Sequence, residues 1–164
     1  MSHVDSKHLG PFRFVVSVFS CYTAGFIGSF FMGVGVATWY PTLQKPPFAL
    51  PDWMFGSVWM LLYALIAIAV LVVWNTGLHR ERERLAFGLF FFQLLFNLLW
   101  VVVFFGGHQL IFGLFIIVIL WVMVYSLVLQ FYKIDWFAGT LLIPYWAWLT
   151  YALVLNFFLW LYNR

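Results

Sequence analysis

Charged residues are scarce in this sequence: 8% of its 164 residues are Asp, Glu, Lys or Arg, whereas 66% are hydrophobic. Soluble domains carry about a quarter charged residues, so this composition excludes a soluble domain and indicates an integral membrane protein. A membrane-spanning helix needs about 20 apolar residues, which leaves room for about five spans in a single domain covering residues 1–164. The net charge of +3 is small and does not indicate a nucleic-acid partner.

Charge within the membrane is also missing, because no acidic or basic residue lies near the middle of any long apolar stretch. Proton relays, ion pathways and voltage sensors all require such charges, so the sequence argues against these classes of protein. The single cysteine, Cys21, permits no intramolecular disulfide. The histidines lie in tails and turns without the spacing of metal ligands, and no residue pair suggests an activated nucleophile. We therefore predict no metal site and no catalytic residue of the usual kinds.

The apolar stretches predict an all-α bundle of five transmembrane helices. Asp52 and Asp135 come just before two of the stretches and are expected to cap the helices that follow. Pro144 lies inside the last stretch, where it should kink the helix or loosen one turn. Residues 1–11 are expected to be frayed. The predicted spans lie at about residues 12–37, 53–74, 85–105, 109–132 and 136–162.

Proline is concentrated in one place, since four of the six prolines fall within residues 39–52, between the first two spans. Proline removes a backbone donor and disfavours the helical conformation of the residue before it, so no helix is expected here. Irregular backbone must lie outside the hydrocarbon or be covered by protein. We predict a long structured loop that forms a lid over one end of the bundle. Its principal residues are Trp39, Lys45, Pro46, Pro47, Phe48 and Pro51.

Three of the predicted helices each carry aromatic or amide side chains on one face, at spacings that place them together. Tryptophan and tyrosine prefer the membrane boundary, but Tyr63, Trp100 and Trp148 lie well inside their spans. In one interpretation, Gln93 and Asn97 simply join helices through hydrogen bonds. In the other, the three faces line a pocket for a flat hydrophobic ligand, with Asn97 as its polar anchor. The faces are Trp59 and Tyr63; Gln93, Asn97 and Trp100; and Tyr145, Trp148, Ala152 and Leu155.

Small residues also occur at helical spacing in the first span, where Ala24 precedes Gly28 and Ser29 precedes Gly33 by four positions. Small residues four apart allow helices to approach closely in a bilayer, although glycine is also simply common in membrane helices. We predict a homodimer whose seam lies on the first span or on the third, where Gly88 is the candidate.

Basic residues are unevenly shared between the two ends of the bundle. Two of them, Lys45 and Arg164, fall on the lid side, and six fall on the side of the N-terminus. The positive-inside rule then predicts a cytoplasmic N-terminus, with the lid and C-terminus outside, if the protein lies in a plasma membrane. The six residues are Lys7, Arg13, Arg80, Arg82, Arg84 and Lys133.

Several short motifs occur in order along the chain. They are W-Y-x-x-L-Q-K-P at 39–46, P-x-W at 51–53, Q-L-x-F-N-x-x-W at 93–100, F-F-G at 104–106, D-W-x-A-G at 135–139, P-Y-x-x-W at 144–148 and L-N at 155–156. In this combination the chain resembles the TspO/MBR family of tryptophan-rich sensory proteins and translocator proteins. The resemblance extends from about Gly28 to Asn156. It implies a five-helix membrane fold that is commonly a homodimer.

The resemblance also implies a function. Members of the family bind porphyrins such as protoporphyrin IX, haem-type porphyrins and benzodiazepine-type ligands in a pocket beneath the first long loop, and animal members bind cholesterol. No resident cofactor is required. The propionates of a porphyrin are expected near the lid, close to Lys45. By position in the motifs, the ligand-binding residues implied are Trp59, Tyr63, Asn97, Trp100, Tyr145, Trp148, Ala152 and Leu155, with Pro47 and Phe48 of the lid.

The lid departs from the family pattern at two positions, with Phe48 where tryptophan is frequent and Leu50 where proline is frequent. Three functional hypotheses follow. The first is a membrane receptor or translocator for porphyrins, with a stress-sensing or tetrapyrrole-regulating role. The second is an enzyme that degrades protoporphyrin IX in light and oxygen, with Trp59 or Trp148 as electron donor. The third is a carrier or structural dimer partner whose pocket holds lipid or sterol.

Overall fold

The computed structural model of the chain describes residues 6–77 and 81–164, with side chains from residue 10 onward. The described residues form five long helices and no strand, which confirms the predicted all-α class. Each of these helices is long and apolar enough to cross a membrane. The helices are α1 (Ser6–Thr38), α2 (Trp53–Thr76), α3 (Glu81–Val101), α4 (Leu110–Ile134) and α5 (Trp136–Tyr162).

Two helix starts differ from the predicted boundaries. Helix α1 begins at Ser6 instead of residue 12 and includes Pro11, so the expected fraying is wrong for the described residues from Ser6 onward. A helix satisfies its own backbone in water as well as in lipid, which allows it to continue past the apolar stretch. Helix α3 begins at Glu81, and its first turn carries Glu81 and Glu83, whose negative charges are favourable at a helix N-terminus. Arg80 and the side chain of Lys7, both used to predict orientation, lie outside the described residues.

The helices form a ring in the order α1, α2, α5, α4, α3, and α3 packs back on α1. Successive spans alternate in direction. The lid, the α3–α4 connection and the C-terminus therefore meet at one end of the bundle, which we call the lid end. The start of α1 and the α2–α3 and α4–α5 connections lie at the other end, which we call the basic end. The core between the helices consists of fully buried aliphatic and aromatic side chains such as Ile66, Phe90, Leu120, Leu149 and Leu159.

The two predicted aspartate caps have different outcomes. Asp135 caps α5 as predicted, because its Oδ1 accepts a hydrogen bond from the backbone N–H of Ala138 at 3.0 Å. Asp52 occupies the N-cap position of α2, as predicted, but its side chain makes no capping hydrogen bond. Its carboxylate instead forms an ion pair with Lys45 at 3.5 Å, which draws it toward the lid and away from the helix end. Helix α5 continues unbroken through Pro144.

The expectation that no helix forms in the lid is also wrong in one place, because Tyr40–Thr42 form a single 3₁₀ turn. Pro41 lies in its first residues, where the fixed φ of proline suits a helix start and its missing N–H is not required. At the other side of the lid end, α3 finishes in a π-helical turn over Val102–Gly106. The chain then reverses through His108, whose φ is +55°, before α4 begins.

The small residues of α1 pack unevenly. A Cβ added at Gly28 would lie 3.7 Å from a methyl group of Val101, an ordinary van der Waals distance, so the packing of α1 on α3 does not require glycine at this position. No atom lies within 4 Å of the corresponding position at Gly33. At the basic end, Arg13 ties α1 to α2 by donating a hydrogen bond from Nη1 to the carbonyl oxygen of Trp74 at 3.1 Å.

Candidate ligand site

A buried hydrogen-bond network joins the three helix faces that the sequence singles out. The Tyr63 hydroxyl donates to Asn97 Oδ1 at 2.8 Å, and Asn97 Nδ2 donates to the Tyr145 hydroxyl oxygen at 3.1 Å. The Tyr145 hydroxyl in turn donates to Gln93 Oε1 at 2.8 Å. Each of these side chains is at most 6% exposed. The two amides of α3 therefore bond to α2 and α5, which is the helix-joining role foreseen in the first interpretation.

Trp59 lies at the centre of an aromatic group beside this network. Its ring centroid lies 5.6 Å from that of Tyr63, 6.1 Å from that of Tyr145 and 6.3 Å from that of Trp100. The indole N–H of Trp100 donates to Asn156 Oδ1 at 3.3 Å, and Asn156 Nδ2 donates to the carbonyl oxygen of Leu110 at 3.1 Å. Asn156 is thus a buried polar residue that belongs to the L-N motif at 155–156 but was not among the predicted ligand-binding residues. Its signal was available, since it is an amide within an apolar span, like Asn97.

Trp148 belongs to a different group, closer to the lid. Its ring lies 6.1 Å from Phe55 and 5.2 Å from Tyr151, and its buried indole N–H has no hydrogen-bond partner in the described part of the chain. Phe55 in turn packs against Tyr40 of the lid at 5.6 Å. Phe55 also contacts Phe105, which contacts Trp100, so Trp148 is linked to the aromatic group around Trp59 through these intervening rings.

An apolar cavity of about 520 Å³ lies between α1 and α2 and reaches Val101 of α3. Of the predicted ligand-binding residues, Trp59 and Tyr63 line it. Asn97, Trp100 and Tyr145 lie directly behind these two side chains and contact them. Ala152 and Leu155 are buried, and neither they nor Trp148 belong to the cavity wall.

The side of the cavity formed by α1 was not anticipated. Tyr22, Gly25, Phe26 and Ser29 lie at i, i+3, i+4 and i+7 and form one wall. That spacing was readable in the sequence, but of these residues only Ser29 was considered, as part of a close-packing seam. The rim of the cavity is exposed on the outer face of the bundle, where Phe26 is 80% and Met60 is 66% exposed. In a spanning helix this outer face meets lipid.

The lid lies across its end of the bundle and is anchored at its beginning by two aromatic residues. Tyr40 is fully buried and packs against Phe55 and Phe105. The Trp39 ring stacks on the imidazole of His108 with centroids 4.7 Å apart and meets Phe104 edge-on at 5.4 Å. The lid therefore contacts both α2 and the α3–α4 connection.

The rest of the lid is anchored to α5. Asn163 exchanges two hydrogen bonds with the backbone of Gln44, at 2.9 and 3.0 Å, and the backbone N–H of Leu50 donates to the Tyr151 hydroxyl oxygen at 2.9 Å. Phe48 packs edge-on against Phe158 at 5.5 Å, so this departure from the family pattern still supplies an aromatic contact. Among the lid prolines, Pro46 is buried whereas Pro47 and Pro51 are exposed.

Lys45 makes two contacts within the lid end of the chain. Its ammonium lies 4.2 Å from the centroid of the Tyr40 ring and 3.5 Å from the carboxylate of Asp52. It does not line the cavity between α1 and α2. The polar contact of the Lys45 ammonium is therefore with the lid itself and not with the wall of the cavity.

The model of the TspO/MBR family matches residues 17–161. The chain is 37% identical over 152 residues to "Protein CrtK" of Rhodobacter capsulatus, with 92% of each chain covered. It is 38% identical over 151 residues to "Tryptophan-rich protein TspO" of Archaeoglobus fulgidus, which covers 92% of this chain and 97% of the relative.

The similarity reaches animal proteins as well. The chain is 32% identical over 140 residues to the human "Translocator protein", covering 85% of this chain and 83% of the relative. Residues 17–161, which the family model matches, contain the lid, the cavity between α1 and α2, and the hydrogen-bond network. The fold, the ordered motifs and these matches together show that this five-helix membrane chain belongs to the TspO/MBR family.

Proposed function

We propose that this protein is a membrane receptor or translocator for a flat, largely apolar ligand of the porphyrin class, held in the cavity between α1 and α2. The observation that carries the proposal is the pair of aromatic side chains, Trp59 and Tyr63, that line this cavity and are held from behind by a polar network. Relatives named "Tryptophan-rich sensory protein", from Cereibacter sphaeroides, and "Translocator protein", from human, support the receptor or translocator role.

The size and chemistry of the cavity suit such a ligand. Its volume of about 520 Å³ falls within the range of about 300 to 1,000 Å³ typical of small-molecule sites. Five aromatic side chains line it, and no charged side chain does. Aromatic faces stack on a conjugated macrocycle, whereas a typical sterol has no aromatic ring to stack on. The aromatic side chains are Tyr22, Phe26, Trp53, Trp59 and Tyr63.

Asn97 has an indirect role in this proposal. Its Oδ1 accepts from the Tyr63 hydroxyl and its Nδ2 donates to Tyr145, so it fixes the ring that faces the ligand. No cation lines the cavity wall, so the carboxylates of a porphyrin would have to extend beyond the rim, along the outer face of the bundle, to the polar surface of the membrane. The proposal therefore requires no contact with Lys45.

Filling the cavity gives a direct test. A Cβ at Gly56 would meet no atom within 4 Å, so Gly56→Leu should occupy the cavity without disturbing its walls. Gly33→Leu is the matched control, because position 33 is equally open but lies outside the cavity wall. Protoporphyrin IX is titrated in the dark into each variant in nanodiscs, and quenching of tryptophan fluorescence is followed. We expect at least a tenfold weaker affinity for Gly56→Leu and none of this loss for Gly33→Leu. Equal affinities would reject the cavity as the binding site.

The same titration distinguishes the residues that contact the ligand from those that do not. Trp59→Phe should weaken protoporphyrin IX binding more than Trp148→Phe, because only the first of these side chains lines the cavity. The opposite result would be a large loss of affinity in the double variant Trp148→Phe/Asn97→Ala and a small loss in Trp59→Phe. It would place the ligand beneath the lid, among the other predicted residues.

The alternative of a light-dependent, porphyrin-degrading enzyme is favoured by the position of Trp59, which lines the cavity and contacts Trp100. Illumination with oxygen should then give a product spectrum that is lost in Trp59→Phe. Loss of porphyrin at the same rate with free tryptophan would reject an enzymatic role. The lipid or sterol carrier predicts that purified protein retains sterol or lipid and shows no saturable quenching by protoporphyrin IX.

A further inference from the structure

A groove of about 720 Å³ lies at the basic end of the bundle, far from the cavity and the lid. Its walls are the first turns of α3 and the last turns of α4. Three cations line it: Arg82 and Arg84 from α3, and Lys133 from α4. Neither the family resemblance nor the proposed porphyrin site accounts for a groove here.

The three cations are available to a ligand. The side chains of Arg82, Arg84 and Lys133 make no ion pair or hydrogen bond with another residue of the described ranges 6–77 and 81–164. All three are exposed. Glu81 also lines the groove and is its one acidic member, so the positive charges outnumber the negative.

The remainder of the groove is apolar and follows α3 away from the charged end. Leu85, Gly88, Leu89 and Phe92 recur at helical spacing and form a stripe on one face. Leu85 and Phe92 are each 61% exposed. A Cβ at Gly88 would meet no atom within 4 Å, so the stripe is open at its middle. The groove thus combines a cationic end with an apolar track that runs into the span.

We propose that this groove binds one anionic phospholipid. The phosphate would lie among Arg82, Arg84 and Lys133, and an acyl chain would lie along Leu85, Leu89 and Phe92. Basic grooves between transmembrane helices at the membrane boundary are suited to anionic headgroups, and arginine pairs well with phosphate oxygens. A soluble anion would use the cations but would leave the apolar track unexplained.

A specific lipid site differs from a general attraction of basic residues for an anionic membrane. A general attraction would make all exposed cations at helix ends equivalent. Arg164 is such a cation at the lid end, where it lies 5.9 Å from the ring of Trp160 and lines neither groove nor cavity. Lys133 and Arg164 are therefore a matched pair, each one charge near the end of a helix.

The charge test compares Lys133→Gln with Arg164→Gln. Purified full-length protein is relipidated with phosphatidylglycerol and phosphatidylcholine of identical acyl chains, and retained lipids are counted by native mass spectrometry. We expect the unaltered protein to retain phosphatidylglycerol preferentially, and Lys133→Gln to lower its affinity about fivefold, the effect of one basic residue near a membrane surface. Arg164→Gln should leave it unchanged. Equal losses in both variants, or equal retention of the two lipids, would overturn the proposal.

A second variant tests the apolar track without altering charge. Gly88→Leu should block the acyl chain and reduce phosphatidylglycerol retention, whereas Gly33→Leu, on α1, should not. Inorganic phosphate at millimolar concentration should fail to displace the lipid; displacement would mark a site for a soluble anion and overturn the proposal. Position 88 is also the predicted dimer seam. If Gly88→Leu abolishes cross-linked dimer while leaving lipid retention intact, the occupant is a second copy of the chain and the lipid proposal fails.

Discussion

Gly25 of α1 faces the ring of Tyr63 so closely that a Cβ at position 25 would lie 2.8 Å from Cδ2 and from Cε2 of that ring. Both residues line the cavity, and Tyr63 also donates the first hydrogen bond of the buried network. The absence of a side chain on α1 therefore sets the orientation of an aromatic ring on α2.

Gly25→Ala should weaken protoporphyrin IX binding and destabilise the protein. The new methyl group must displace the Tyr63 ring, and overpacking of this kind costs about 1–3 kcal/mol. This exceeds the gain of about 1 kcal/mol that alanine brings to a helix in place of glycine. Gly33→Ala is the control, because it brings the same gain in open space and should be neutral or stabilising. Thermal unfolding and dark quenching titrations measure both effects, and equal behaviour of the two variants would refute the close contact.

Tyr145→Phe should lower the free energy of unfolding by about 1–2 kcal/mol. It removes one bond accepted from Asn97 and one donated to Gln93, and interhelical hydrogen bonds in membranes contribute about 0.6 kcal/mol each and up to 1.7. Tyr125→Phe is the matched control, since this half-exposed tyrosine stacks on Trp121 and no hydrogen bond of its hydroxyl is seen within the described residues. Unfolding in mixed detergent gives the difference. A similar loss in both variants would show that the network adds nothing specific.

Asn163→Ala should loosen the lid while leaving the bundle folded. The variant loses both hydrogen bonds to the backbone of Gln44, so hydrogen exchange at the Gln44 amide should become faster by at least tenfold. Arg164→Ala, one residue away, changes no lid contact in the described structure and should leave that amide protected. Exchange measured by mass spectrometry on lid peptides distinguishes the two. Unchanged protection in Asn163→Ala would show that the aromatic anchors alone hold the lid.

Asp135→Ala should destabilise the protein by about 1 kcal/mol, the usual cost of losing an N-cap. Asp52→Ala should cost less, because Asp52 makes no capping bond and its ion pair with Lys45 is partly exposed. Such pairs contribute about 0.2–1 kcal/mol, and added salt should reduce that contribution. The comparison is made from unfolding curves at low and high salt. A larger loss for Asp52→Ala at high salt would contradict the assigned roles.

Helix number and the meeting of the polar faces were predictable, because both depend on local sequence. Apolar length sets the spans, and the spacing of Tyr63, Asn97 and Tyr145 places each on the inner face of its helix. Asp135 was predictable for the same reason, since a cap is formed within four residues. The partner of Asp52 depends on the path of the lid, and no local rule places Lys45 beside it.

The location of the cavity could not be predicted from spacing. Periodicity identifies residues that share a face, but it does not say whether two facing helices touch or leave a space between them. The amide of Asn97 and the hydroxyl of Tyr145 form a hydrogen bond with each other. Both side chains are buried and fill the centre of the bundle. The space remains instead where α1, with its glycines, meets Trp59 and Tyr63. The volumes of side chains that face each other from different helices decide where a space remains, and the sequence pattern along a single helix does not.

The rim of the cavity opens on the outer face of α1 and α2, where Phe26 and Met60 are exposed to the bilayer. A ligand that enters there comes from the lipid phase, so its chemical activity is set by its mole fraction among the lipids. The half-saturation point of a hydrophobic ligand, expressed per volume of solution, should then rise in proportion to the amount of lipid present. Expressed per lipid it should stay constant, and affinities measured in different membranes become comparable only on that scale.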